Sequence, residues 1–283
     1  MQDILLTVKN RGGSVEHYYH FLLGFLLPLA SKLEDLDRDV SVNSVIVRSC
    51  GPMDRHITAL NISKLVIIDA KQHAALRNFS LENQNSSYLH QTISGFDDVR
   101  GDYEIEKIKN AVGAFKRIFF KNLDEQPFKK KAPLTKENRQ IVLIKRDKDN
   151  FYNSGKAEIP TSGSQRRSIE NFPELQACIE AQSSNLITVT LEKTTLSEQI
   201  SLFSGADIII AQHGAALANL VWSSKATKVI EIAPKLVPEI ENCFSSLSRR
   251  LGLGYRRVLQ EGLHGKCDLA MVKHLLSDES IIW

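Results

Sequence analysis

Residues 206–219 read Ala-Asp-Ile-Ile-Ile-Ala-Gln-His-Gly-Ala-Ala-Leu-Ala-Asn, and this stretch constrains the fold more than any other. Its apolar run, 208–211, is short enough for a buried strand and stops abruptly at Gln212-His213-Gly214. A helix-compatible segment, 215–222, follows at once. A strand that stops at a glycine and opens a helix points backbone N–H groups beyond the sheet edge, where an anion, most often a phosphate, is well received. The alternative is a plain tight turn that uses Gly214 only for its shape.

The flanks extend the pattern. Residues 186–190 and the run Lys228-Val229-Ile230-Glu231-Ile232 are strand candidates on either side. Thr195-Leu196-Ser197-Glu198 fits a capping box, and Leu196, Ile200 and Phe203 share one face of a helix over 195–205. Strand, helix, strand, helix, strand in this order implies a parallel sheet with right-handed crossovers. Ligands of such sheets sit beyond the carboxyl ends of the strands, and His213, Gly214 and Glu231 fall at or near such ends.

The first half reads as α/β too. Residues 4–8 form a strand, Asn10-Arg11-Gly12-Gly13-Ser14 a glycine loop, and 15–33 a strongly apolar helix with Pro28 set to kink it. Residues 44–47 and 65–68 are strands flanking a short helix over 54–60. Residues 71–100 are polar and without periodicity, which predicts loop, whereas 102–122 place Ile105, Ile108, Val112 and Phe115 on one helical face. Pro127, Pro133 and Lys129-Lys130-Lys131 mark 124–139 as connecting chain. A chain of 283 residues then divides into a first lobe, 1–125, a linker, 126–139, and a second lobe, 140–283, whose last helix is free to pack back on the first.

Composition excludes several classes. A formal charge of +3 is nearly balanced, so no nucleic-acid partner is expected. Cys50, Cys178, Cys243 and Cys267 are scattered without a Cys-x-x-Cys, which suits reduced thiols rather than a disulfide framework or a zinc site. The apolar run 21–29 is too short to span a membrane and carries Pro28, so the expectation is a soluble, cytoplasmic protein with no signal peptide and no transmembrane segment. No Gly-x-Gly-x-x-Gly follows the first strand, which disfavours a nicotinamide-dependent enzyme such as an epimerase.

Several ordered motifs together resemble the family 61 glycosyltransferases. They are Arg166-Arg167-Ser168-Ile169-Glu170-Asn171, the 195–205 helix, His213-Gly214-Ala215-Ala216-Leu217-Ala218-Asn219 and Val229-Ile230-Glu231-Ile232. The likeness covers about 140–258 well and extends more thinly to His17-Tyr18-Tyr19-His20-Phe21-Leu22. Ala216 stands where the family has a second glycine, Ala218 where it has threonine, His17 where it has asparagine, and Gly24 where it often has an acid. The resemblance implies a GT-B fold, two Rossmann-like lobes facing a central cleft. It also implies an inverting transferase that moves a sugar, xylose as a first choice, from a UDP-sugar to a glycan or glycoprotein acceptor. The departures at His17 and Gly24 leave open a catalytically inactive scaffold that binds nucleotide-sugar or glycan.

The chemistry of glycosyl transfer then selects residues. Negative charge grows on the departing diphosphate, and a metal, basic side chains or a helix N-terminus can meet it. Asp147-Lys148-Asp149 after the 141–145 strand matches the Asp-x-Asp of metal-dependent transferases, yet the glycine turn and the arginines already supply positive character. A metal-independent reaction with no cofactor is therefore expected. Arg146, Arg166 and Arg167 are candidates to fork onto phosphate oxygens, with His213, Gly214, Ala215, Leu217 and Asn219 forming the turn. His213 donates to phosphate or packs against the turn, and Asn219 binds or braces it. Glu231 is placed to contact ribose hydroxyls. For the base that takes the acceptor proton the candidate is His20, one helical turn from Glu16 as its carboxylate partner, with Gly12, Gly13, Glu16 and His17 on the acceptor side. Asp102 is the runner-up base.

Overall fold

The structure, a computed structural model, describes residues 1–83, 87–98, 101–121, 139–146, 163–235 and 242–277. It divides into two compact units, Met1–Asp98 with Tyr103–Glu125, and Val99–Asp102 with Gln126–Trp283. Each is a parallel α/β assembly built on its own sheet. All of the expected 126–139 linker except Arg139 lies outside the described residues, as does Asp147-Lys148-Asp149.

The first unit runs β1 (Gln2–Lys9), α1 (Tyr18–Phe21), a π-helical turn (Leu22–Leu26), α2 (Leu27–Arg38), β2 (Val42–Arg48), α3 (Asp54–Thr58), β3 (Leu65–Ile68), α4 (Ala70–Glu82), β4 (Tyr88–Ser94) and α5 (Ile105–Phe119). The strand order is β3-β2-β1-β4, every pair parallel, with Ile4 opposite both Val45 and Leu89. β1 is central, and its consecutive residues Ile4, Leu5 and Leu6 are all buried, as a strand covered on both faces requires. Pro28 follows the π turn directly inside one continuous helical run, Tyr18 to Arg38, where it has no N–H to donate to the preceding turn. The π turn widens the helix and leaves the Leu23 carbonyl to accept the Phe96 N–H at 2.8 Å, which ties the exit of β4 to the helix.

The stretch 71–100 is not loop-rich as expected, because α4 and β4 occupy most of it. Among the residues of α4 only His73 is buried, so the helix carries no apolar stripe for a periodicity argument to detect. Its start is signalled instead by Asp69, whose carboxylate accepts the Lys71 and Gln72 amides. β4 is an edge strand whose residues never become fully buried, which kept it polar.

The second unit runs β5 (Ile141–Ile144), α6 (Gly163–Arg166), α7 (Phe172–Glu180), β6 (Leu186–Val189), α8 (Leu196–Gly205), β7 (Ile208–Gln212), a 3₁₀ helix (Ala215–Trp222), β8 (Lys228–Pro234), α9 (Cys243–Leu251), β9 (Gly254–Gln260) and α10 (Leu269–Ser277). Its parallel sheet has the order β6-β5-β7-β8-β9. Ile141, Leu143, Ile208, Ile210, Ile230 and Ile232 form one apolar layer with Leu175 and Ile179 of α7 and Val272 and Leu275 of α10. The alternate residues Val142, Ile209 and Val229 are buried as well, so the sheet is covered on both faces. The expected capping box at Thr195 and Glu198 is present. Among the described residues, no helix is long and apolar enough to cross a membrane.

Candidate functional site

The turn after β7 takes its shape from three side chains. In a 3₁₀ helix residues i and i+3 eclipse, and Ala216, Asn219 and Trp222 line up accordingly. Asn219 donates to the Ala216 carbonyl at 3.3 Å and to Gln199 Oε1 at 3.2 Å, and accepts Trp222 Nε1–H at 3.0 Å. This buried ladder favours the tighter helix over the α-helix that the alanine-rich sequence suggests. Gly214, with φ 161° and ψ 179°, is extended and joins β7 to that helix. A Cβ on Gly214 would collide with Arg146 Nη2 and lie 3.3 Å from its Cζ, so glycine is needed here to let a guanidinium lie against the backbone.

Two arginines converge at this point. Arg146, two residues beyond β5, donates to the His213 carbonyl at 2.9 Å, and Arg167, directly after α6, donates to the same oxygen at 3.0 Å. Burial, and then the repulsion of Arg167, push the Arg146 pKa down to about 10. Arg167 is lowered likewise by burial and by Arg166 beside it, and its Nε is buried with no hydrogen-bond partner. Two cations thus share one neutral carbonyl at the carboxyl ends of parallel strands, where the ligands of such sheets bind, with Glu192 acting on Arg146 and Glu231 on Arg167.

Beneath them runs a chain of buried polar groups. His213 Nδ1 bonds Glu231 Oε1, Tyr255 O–H donates to Glu231 Oε2, and Arg257 Nη2 stands 3.9 Å from that same oxygen. Glu231 is wholly buried, and the His213 ring meets Phe244 edge-on with centroids 5.3 Å apart. The ionised carboxylate can only accept, so Nδ1 carries the proton and Nε2 is the free edge of the ring. Burial, then the neighbouring Glu231 charge, raises the Tyr255 phenol and lifts the Cys243 thiol to about 12, so both stay protonated.

The first unit holds a second histidine of the same kind. His20 Nδ1 lies 2.7 Å from Asp97 Oδ2, and the Asp97 carboxylate also accepts Arg11 N–H at 2.8 Å and Gly12 N–H at 3.3 Å. Asp97 is buried, and the two backbone donors hold its carboxylate as an acceptor facing His20 Nδ1. Asn10 Nδ2 clamps the loop by donating to the Gly12 and Gly13 carbonyls at 2.8 and 2.7 Å. Gly13 has φ +67° and packs against the ring of His20, where a Cβ would meet Nε2 and lie 2.7 Å from Cε1. Only glycine satisfies both demands.

The residues expected from sequence thus fall into three groups. Arg146, Arg167, His213 and Gly214 come together, Ala215 is half-buried beside them, and Arg166 is exposed one residue away. Leu217 and Asn219 are wholly buried and brace the turn from inside, so neither faces a ligand. Glu231 lies within β8 rather than at its end, and both its oxygens are engaged by His213 and Tyr255, which replaces the expected ribose contact. In the first unit Gly13 packs on His20, the Gly12 N–H binds Asp97, and His17 is the residue preceding α1. The carboxylate at His20 is Asp97 and not Glu16, whose carboxylate end lies near Gly51. Asp102 belongs with the second unit, exposed and paired with Arg250 at 3.1 Å. Asp97, Tyr255 and Arg257 were missed. Asp97 has a signal, since it lies just past the end of β4, but that strand has to be recognised first.

The family description Glycosyltransferase 61 matches residues 18–230, a span that includes His20, both site arginines and the His213 turn. No curated protein matches the chain.

Proposed function

The chain belongs to glycosyltransferase family 61, and from that premise we propose that it transfers a sugar from a UDP-sugar to a glycan or glycoprotein acceptor with inversion. Xylose is the first donor to try. In this reading the two units are the lobes of a GT-B enzyme, and the second carries the donor. Arg146 and Arg167 bind the diphosphate, Arg166 adds to its field, and His213 presents Nε2 to a phosphate oxygen. The convergence of Arg146 and Arg167 on a single neutral carbonyl carries the proposal, because a diphosphate would replace repulsion between cations with paired charge. With the leaving group neutralised by guanidinium groups, the reaction proceeds without a metal.

The acceptor hydroxyl attacks the anomeric carbon as the bond to the diphosphate oxygen breaks, and its proton passes to His20 Nε2. Gly13 packs over that nitrogen, so the Gly12–Gly13 loop yields when an acceptor enters. Calorimetric titration with UDP, its xylose, glucose and N-acetylglucosamine conjugates, and GDP, each with EDTA and with manganese, tests the donor half. Tight binding of the uridine ligands in EDTA is expected. Binding that requires manganese, or none at all, overturns the mechanism.

A further inference from the structure

We infer that Asp97 is the positioning residue of His20, set in place by the π turn and by the absence of a side chain at Gly24. The inference rests on the proposed role of His20 as base, but its test does not depend on turnover. Three features of the chain converge on this carboxylate. The π turn leaves the Leu23 carbonyl to take the Phe96 N–H at 2.8 Å, which fixes the backbone one residue before Asp97. Gly24 within that turn provides the space, since a Cβ there would lie 2.7 Å from both Asp97 Cγ and Oδ1 and 2.8 Å from Asn10 Cβ. Gly95 provides the rest, because a Cβ on it would lie 2.6 Å from the Gly24 carbonyl and 2.8 Å from Asp97 Oδ1.

The carboxylate so placed is buried and holds two things at once. Arg11 and Gly12 N–H bind it and set the glycine loop, while His20 Nδ1 binds it at 2.7 Å. Burying a carboxyl group this completely is costly unless it is hydrogen-bonded, and these bonds supply that. The bond to Nδ1 selects the ring tautomer whose lone pair is on Nε2, the only form that can accept a hydroxyl proton from that side. A histidine bonded through Nδ1 to an amide N–H instead would carry its proton on Nε2 and be useless as a base.

The test is ¹⁵N NMR of the full chain labelled at histidine, at a pH where the ring is neutral, with His20→Gln identifying the resonances. Wild-type protein is expected to show His20 protonated at Nδ1. In Asp97→Asn the shorter bond, from Arg11 N–H, keeps the amide oxygen, so the amide N–H₂ faces Nδ1 and the proton moves to Nε2. A wild-type ring protonated at Nε2, or an Asp97→Asn ring still protonated at Nδ1, overturns the inference. Should Asp97→Asn fail to fold, the wild-type tautomer alone decides. Failure of the base reading shows separately, as full turnover in His20→Ala.

Discussion

Substituting Gly214 by alanine tests the anion site through a single added carbon. That Cβ would overlap Arg146 Nη2 and lie 3.3 Å from Cζ. Carbon and nitrogen in ordinary contact stay about 3.5 Å apart, so the guanidinium must retreat by roughly 1 Å or more. Such a retreat breaks its 2.9 Å bond to the His213 carbonyl. What moves is the end of a flexible side chain, and moving it relieves repulsion with Arg167, so the fold should lose only about 1 kcal/mol. A charged hydrogen bond lost to the diphosphate is worth about 1.5–3 kcal/mol, which lowers UDP affinity roughly 10- to 100-fold. Calorimetry of Gly214→Ala, of Arg146→Ala and of the double variant forms the assay. If the glycine acts by admitting Arg146, the double variant binds no more weakly than Arg146→Ala. Fully additive losses, or UDP affinity unchanged in Gly214→Ala, refute the reasoning.

Three further outcomes are expected. His20→Ala should lower turnover by roughly 10²–10⁴ while calorimetry finds UDP affinity nearly unchanged, and full turnover would remove His20 from the mechanism. Asn219→Leu should cost about 2–4 kcal/mol in denaturant unfolding, because it removes the acceptor of Trp222 Nε1–H and the donor to Gln199 Oε1 in the interior; a cost under about 0.5 kcal/mol would contradict the bracing role. Burial holds His56 at about 4, below the usual histidine value near 6.5, so between those limits the unfolded chain binds a proton that the folded unit refuses. Stability should therefore be fully present above pH 6.5 and fall by roughly 3 kcal/mol on acidification to pH 4, and a similar slope in His56→Gln would assign the loss to other groups.

The sequence made the second unit more legible than the first for a physical reason. Strands β5, β7 and β8 are buried on both faces, so they appear as continuous apolar runs, and the capping box at Thr195 marks its helix by type and spacing alone. The 3₁₀ geometry of 215–222 was not legible, because it is decided by Asn219 meeting Trp222 and Gln199 in three dimensions. β4 and α4 were lost because an edge strand and a helix with one buried side chain need not alternate strongly. That loss hid Asp97, since a carboxylate at a strand's end attracts notice only when the strand is seen. Arg146 and Arg167 could be chosen by residue type, but their meeting at one carbonyl depends on β5 and β7 being neighbours in the sheet.

The two histidines share a construction that bears on Gly24. Each is bonded through Nδ1 to a buried carboxylate that other donors hold in place, Tyr255 on Glu231 in one unit and the Arg11 and Gly12 amides on Asp97 in the other. In both cases the carboxylate lies distant in sequence from the histidine it serves, and the fold alone joins them. Against this arrangement, glycine at position 24 need not mean a missing acid. An acidic side chain there would enter the space that Asp97 already fills, 2.7 Å from the first carbon of such a side chain. The carboxylate at His20 is therefore present, supplied by the end of β4 instead of by the helix. Of the two departures that leave an inactive scaffold open, Gly24 is met by this arrangement, whereas His17 stands as before.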